Sequence, residues 1–176
     1  MTDLQTSDLR SQLQGLWLPL VTPFRDGELD EASLRRLVRH YARGPVDGFI
    51  LAATSGEGLT LEMAELEQVV ALVRAGIAES GRTLPVCLGL SGSSTASMLD
   101  ALDETAAWPI DGYLIASPYY VRPSQRGLLQ QRMLVITQQL TQTHPVCALL
   151  LPQYSSQAVI AGDQGEHANG RRHERE

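Results

Sequence analysis

Apolar runs too continuous to alternate recur along the chain at intervals of roughly thirty to thirty-five residues, and each is followed by a stretch whose apolar positions repeat with the period of a helix. Leu16–Thr22 predicts a first buried strand, closed by the turn signal Pro23-Phe24-Arg25-Asp26-Gly27. Asp30 is placed to N-cap a helix with Leu34, Leu37, Val38 and Tyr41 on its buried face, ending at Gly44-Pro45. Gly48–Ala53 predicts a second strand. A helix over Glu62–Glu79 follows, with Leu66, Val69, Val70, Val73 and Ile77 inward and Gly81 at its end. The cycle repeats in strand Pro85–Leu90 with a helix carrying Met98, Leu99 and Leu102. It repeats again in strand Gly112–Ala116 with a helix over Gln125–Thr141, and a fifth strand, Val146–Leu151, stops at Pro152. Strands of this kind, alternating with helices, predict right-handed βαβ units around a parallel sheet, an α/β fold.

Outside this pattern the chain changes character. Met1–Gln14 is polar and reads as a surface arm. Residues 15–152 form the predicted domain, and 153–176 form a polar tail too poor in apolar residues to bury a core, expected to be disordered. The 176 residues carry a net charge of -6, with no basic stripe before the tail, which argues against nucleic acid or an anionic membrane as partner. No apolar run approaches the ~20 residues of a membrane-spanning helix. Cys87 and Cys147 each sit in a strand-like run without metal-ligand spacing and read as reduced core thiols, which implies a cytoplasmic address. His40, His144, His167 and His173 have no partner at useful spacing and read as surface residues, so no metal site is expected. All 14 basic residues are arginine; the sequence contains no lysine.

The second strand breaks abruptly into Thr54-Ser55-Gly56-Glu57-Gly58-Leu59-Thr60. Gly56 and Gly58 lack the Cβ atoms that would keep a ligand from the backbone, and the Thr54 and Ser55 hydroxyls with nearby N–H groups could all donate to one carboxylate or phosphate. A plain strand-to-helix turn, with Thr60 capping the next helix, explains the loop taken alone equally well.

Three ordered motifs decide between these readings. Leu20-Val21-Thr22-Pro23-Phe24, Thr54-Ser55-Gly56-Glu57-Gly58 and Ser117-Pro118-Tyr119-Tyr120-Val121-Arg122-Pro123-Ser124 resemble, in this order and spacing, three strand ends of the dihydrodipicolinate synthase and N-acetylneuraminate lyase family of Schiff-base aldolases. The resemblance extends from about Leu16 to Leu129. It implies a partial (β/α)8 TIM barrel, about the first five strands and four helices. It also implies a pyruvate-dependent carbon–carbon lyase or synthase of the 4-hydroxy-tetrahydrodipicolinate synthase type, working through a lysine imine and without a cofactor. By the same resemblance Thr54 and Ser55, with Gly56, hold the keto-acid carboxylate, and Tyr120 belongs to a proton relay completed across a dimer contact. Glu57, beside an anion site, is expected to support the loop by hydrogen bonds.

Three positions depart from the family pattern. Leu149 stands where the family's central proton-transferring tyrosine is expected, and leucine has no ionisable proton. Ser93 stands where many relatives have asparagine. No lysine is available for the imine. A barrel needs eight strands, so five are expected to leave open edges that invite a homo-oligomer or another partner. The sequence thus predicts a truncated lyase-family chain inactive alone. The alternatives are a non-catalytic keto-acid-binding or protein-interaction module and a degenerate, frameshifted product.

Overall fold

The computed structural model describes residues 14–121 and 123–140. Residues 1–13 of the predicted arm, the predicted fifth strand with Leu149, and the tail lie outside them. Four parallel strands, β1 (Trp17–Pro19), β4 (Gly48–Leu51), β5 (Val86–Leu90) and β6 (Gly112–Ile115), form one sheet in that order. Pro19, Ile50, Cys87 and Gly112 stand in register across it. Helices α1 (Glu31–Ala42), α2 (Met63–Glu79), α3 (Thr95–Thr105) and α4 (Gln125–Leu140) alternate with the strands.

Alternation along each strand divides the core. Phe49, Leu51, Val86, Leu88, Leu90, Tyr113 and Ile115 face the helices and join the large cluster that includes Leu34, Val38, Val69, Val70 and Val73. Ile50, Cys87 and Leu114 form a smaller cluster of their own with Trp17 and Ala53 packed against it. Full burial is worth ~1.5–3 kcal/mol for a side chain such as Val, Leu or Phe, so the helix-facing cluster supplies most of the driving force. At the α1–α2 contact a Cβ on Gly76 would lie 2.8 Å from Val38 Cγ1, so the helices meet at a position with no side chain. The Trp17 indole N–H is buried without a hydrogen-bond partner among the described residues.

The strand entrances are held by polar side chains. The Arg74 guanidinium donates to the Leu84 carbonyl (3.2 Å) and to Asp111 (2.6 Å), whose same oxygen accepts the Val86 N–H at 2.7 Å. Arg82 donates to the carbonyls of Ala42 and Gly44. Asp47 accepts the Leu16 N–H at 2.6 Å.

Several local expectations need correction. The turn after β1 is a hairpin, β2 (Phe24–Arg25) against β3 (Glu28–Leu29), reversed at Asp26-Gly27 with φ of 55° and 86°. An Asp-Gly pair suits two consecutive left-handed residues. Arg25 from this hairpin pairs with Asp30 at 2.8 Å. Asp30 caps α1 as expected, accepting from the Ser33 N–H and hydroxyl. Tyr41, expected inward, is exposed at the helix edge, its ring edge-on to His40. Thr60 does not cap α2: its hydroxyl donates to the Glu57 carbonyl, and Glu62 with Glu65 forms a capping box. A long acidic pair reaches the first-turn amides that Thr60, two residues further back, cannot. Among the described residues no helix is long and apolar enough to cross a membrane.

Candidate functional site

Parallel strands deliver all their following loops to one end of the sheet, and the loops after β1, β4, β5 and β6 gather there. After β4 the chain turns sharply. Ala52 adopts a left-handed φ of 52°, and Thr54–Gly56 forms one turn of 3₁₀ helix. Glu57 follows, also left-handed at 56°. Such a backbone costs a non-glycine residue on the order of 1–2 kcal/mol, and it persists only where its surroundings over-determine it.

Close packing supplies that constraint. A Cβ on Gly58 would lie 1.9 Å from the Ala52 carbonyl oxygen, and one on Gly89 of β5 would lie 2.7 Å from the same atom. The Ala52 carbonyl is thus wedged between two positions that only glycine can occupy. Gly56 is buried, and a Cβ there would lie 2.7 Å from the Leu20 carbonyl oxygen. The buried Thr22 hydroxyl donates to the Gly56 carbonyl at 2.8 Å.

Within the loop most backbone donors are committed. The N–H groups of Gly56 and Gly58 both donate to the Ala53 carbonyl, and that of Glu57 donates to the Thr54 carbonyl. The amides of Gly56, Glu57 and Gly58 are therefore taken up by the turn itself. The Thr54 and Ser55 side chains are exposed, and their hydroxyls have no hydrogen-bond partner among the described residues. Glu57 does support the loop, but through its main chain: its carbonyl accepts from both the N–H and the hydroxyl of Thr60.

Tyr120 lies on the loop after β6, at the same end of the sheet, with β5 between it and the hydroxyl loop. Its φ is 67°, the Val121 N–H closes a tight turn onto the Tyr119 carbonyl at 2.8 Å, and the side chain is 100% exposed. That turn carries the phenol away from its own chain. Ser93, on the loop after β5, is exposed, and its neighbour Ser94 caps α3. No group of three or more His, Cys, Asp or Glu residues that could hold a metal occurs among the described residues.

Thr22, Ala52 and Gly89 were not singled out as site residues from the sequence. Gly89 had a signal, since a glycine inside an apolar strand often marks close backbone approach. Ala52 had none, because alanine does not announce a left-handed φ. An open cleft of about 950 Å³ between β1 and α1, walled by Leu16, Leu18, Arg39, Arg43 and Val46, lies at the opposite end of the sheet and takes no part.

Comparison with known proteins places this arrangement. The model of the Dihydrodipicolinate synthetase family matches residues 12–143. The 4-hydroxy-tetrahydrodipicolinate synthase 2 of Clostridium acetobutylicum is 35% identical over 119 residues, 68% of this chain and 41% of its own. The 4-hydroxy-tetrahydrodipicolinate synthase of Methylobacterium radiotolerans is 38% identical over 128 residues, 73% of this chain and 40% of its own. Among solved structures, the 4-hydroxy-tetrahydrodipicolinate synthase of Methylacidiphilum fumariolicum SolV superposes with a TM-score of 0.68 at 30% identity, covering 78% of this chain and 43% of that one. The chain spans about two fifths of the length of the relatives it matches. The four-stranded sheet and its helices are accordingly part of a (β/α)8 barrel.

Proposed function

Because this chain belongs to the Dihydrodipicolinate synthetase family, we propose that its strand-end loops form the keto-acid-holding portion of a pyruvate-dependent carbon–carbon lyase or synthase site. The observation that carries this reading is the pair of uncommitted hydroxyls on Thr54 and Ser55, presented by a loop whose other polar groups are largely bonded internally. Two preorganised donors suit a carboxylate and lose little freedom on binding it. Gly56 keeps the adjoining backbone slim. Tyr120, turned outward, serves as the phenolic relay group for a site completed by another subunit, so the assembly is an oligomer. This proposal also includes a cytoplasmic address.

Bond making in such a site runs through an imine between the keto acid and a lysine amine. The sequence contains no lysine, so this polypeptide alone binds pyruvate without activating it. Leu149 in the expected place of the family's proton-transferring tyrosine points the same way. The reading is tested by titrating the full chain with pyruvate and then adding borohydride. Saturable pyruvate binding that is lost in Thr54→Val together with Ser55→Ala, and no trapped adduct within the chain, is the expected result. Failure to bind removes the carboxylate role, and a borohydride-stable adduct on an internal residue removes the inactivity.

A second reading, a non-catalytic keto-acid-binding module that recruits a protein partner, is favoured by the absence of lysine. It predicts keto-acid binding that changes affinity for a protein partner.

A further inference from the structure

We propose that Thr22 is a positioning residue of the keto-acid site: it latches the loop after β1 to the hydroxyl loop, and so fixes where Thr54 and Ser55 present their hydroxyls. The inference rests on the function proposed above and deepens it, with Thr22 acting through its bond to Gly56.

The Leu20 N–H donates to the Ile50 carbonyl at 2.9 Å, which prolongs the β1–β4 ladder past the last paired residues and lays Leu20–Thr22 alongside the start of the hydroxyl loop. Two contacts then follow at one residue. The Leu20 carbonyl packs so tightly on Gly56 that no Cβ fits between them, and the Thr22 hydroxyl donates to the Gly56 carbonyl. Gly56 is the last residue of the 3₁₀ turn that carries Thr54 and Ser55. The other end of the turn hangs from Ala52, whose carbonyl is wedged between Gly58 and Gly89. The two hydroxyl-bearing residues therefore sit on a span fixed at both ends by backbone wedging, and at the Gly56 end by one side-chain bond as well.

That bond is the adjustable part. Valine has the shape of threonine but cannot donate, so Thr22→Val leaves the Gly56 carbonyl unpaired while keeping the volume. A group that merely satisfied a buried carbonyl would lower stability on removal and leave the ligand affinity of the folded protein unchanged. A positioning group changes both the motion of the turn and the affinity. Serine keeps the donor and restores the latch.

The experiment compares the full-length wild type, Thr22→Val and Thr22→Ser by amide hydrogen exchange without ligand, followed by pyruvate titration. Thr22→Val is expected to speed exchange at Gly56, Glu57 and Gly58 at least tenfold while Phe49, Ile50 and Leu88 keep their protection. It is also expected to weaken pyruvate binding at least tenfold, with Thr22→Ser close to wild type in both. Unchanged loop exchange in Thr22→Val overturns the latch, as does faster exchange with undiminished pyruvate affinity. If the wild type itself does not bind pyruvate, the proposed function falls and the exchange rates alone decide whether Thr22 holds the turn. Should Thr22→Val fail to fold, Thr22→Cys, a weaker donor, is read by the same two measurements.

Discussion

One carboxylate oxygen of Asp111 takes both the Arg74 guanidinium, at 2.6 Å, and the Val86 N–H, at 2.7 Å, so a single side chain ties α2 to the entrance of β5. The Asp111 side chain is 47% exposed, which weakens the ionic part, but the backbone N–H that it satisfies is strand structure. Asp111→Ala is expected to cost ~1–2 kcal/mol in urea denaturation, through the unpaired amide more than the lost ion pair. Arg74→Met, which keeps the stem, should cost less than Asp111→Ala. The opposite ranking would mean that the ion pair dominates.

Gly76 makes a second stability prediction with an unusual sign. In a helix interior alanine is favoured over glycine by ~1 kcal/mol, yet the added Cβ would press on Val38. Gly76→Ala is expected to destabilise by ~1 kcal/mol, and the same change to cost less in a Val38→Ala background, where only the Val38 Cβ at 3.0 Å still crowds the added methyl. A double-mutant cycle in urea measures this coupling, and additivity would show that the helices part without cost.

Asp30 contributes to the acid side of the stability profile. The Ser33 hydroxyl and N–H, followed by the charges of Arg25 and Arg36, hold its carboxyl below the ordinary carboxylate range. A depressed carboxyl contributes stability that is present above its unfolded pKa and lost as pH falls through the folded one. Asp30→Asn keeps a capping oxygen but not the charge. It is expected to melt below the wild type at neutral pH, with the two melting curves converging as the wild-type carboxyl protonates. Parallel curves down to the acid limit would contradict this.

The alkaline side belongs to Tyr113. Burial raises its phenol above the usual value, partly opposed by the bond to Thr105. The Thr105 hydroxyl donates to the Ala101 carbonyl at 2.7 Å and lies 2.9 Å from the Tyr113 phenol oxygen. Above the ordinary phenol pKa the unfolded chain ionises and the folded one does not, so stability falls as pH rises. Tyr113→Phe is expected to cost ~1 kcal/mol at neutral pH and to flatten that alkaline fall. An unchanged alkaline limb would place the titrating group elsewhere.

The chain pattern disclosed more of the fold than of the site, for physical reasons. Runs such as Val86–Leu90 and the inward set Leu66, Val69, Val70, Val73 and Ile77 are dictated by burial, which is local in sequence and periodic, so strands and helices could be read directly. The hydroxyl pair was also legible, as small polar residues at a strand end. What escaped is contact between distant segments. Nothing near Thr22 says that its hydroxyl meets Gly56, 34 residues on, and nothing in Ala52 foretells a φ of 52°. In sequence the hairpin at Asp26-Gly27 reads as a simple turn because its strands are two residues each, too short to show alternation.

The two ends of the sheet are built from different materials. At the strand entrances charged side chains tie loops and helices to backbone through Arg74, Arg82, Asp47 and Asp111, while at the exits glycines and one threonine shape a loop that contributes little to the core. Mutational load therefore falls unequally on this molecule. Replacing the exposed side chains of Thr54, Ser55 or Tyr120 breaks no side-chain hydrogen bond among the described residues, whereas losing the Asp111 carboxylate strips both a strand amide and a helix arginine of their partner.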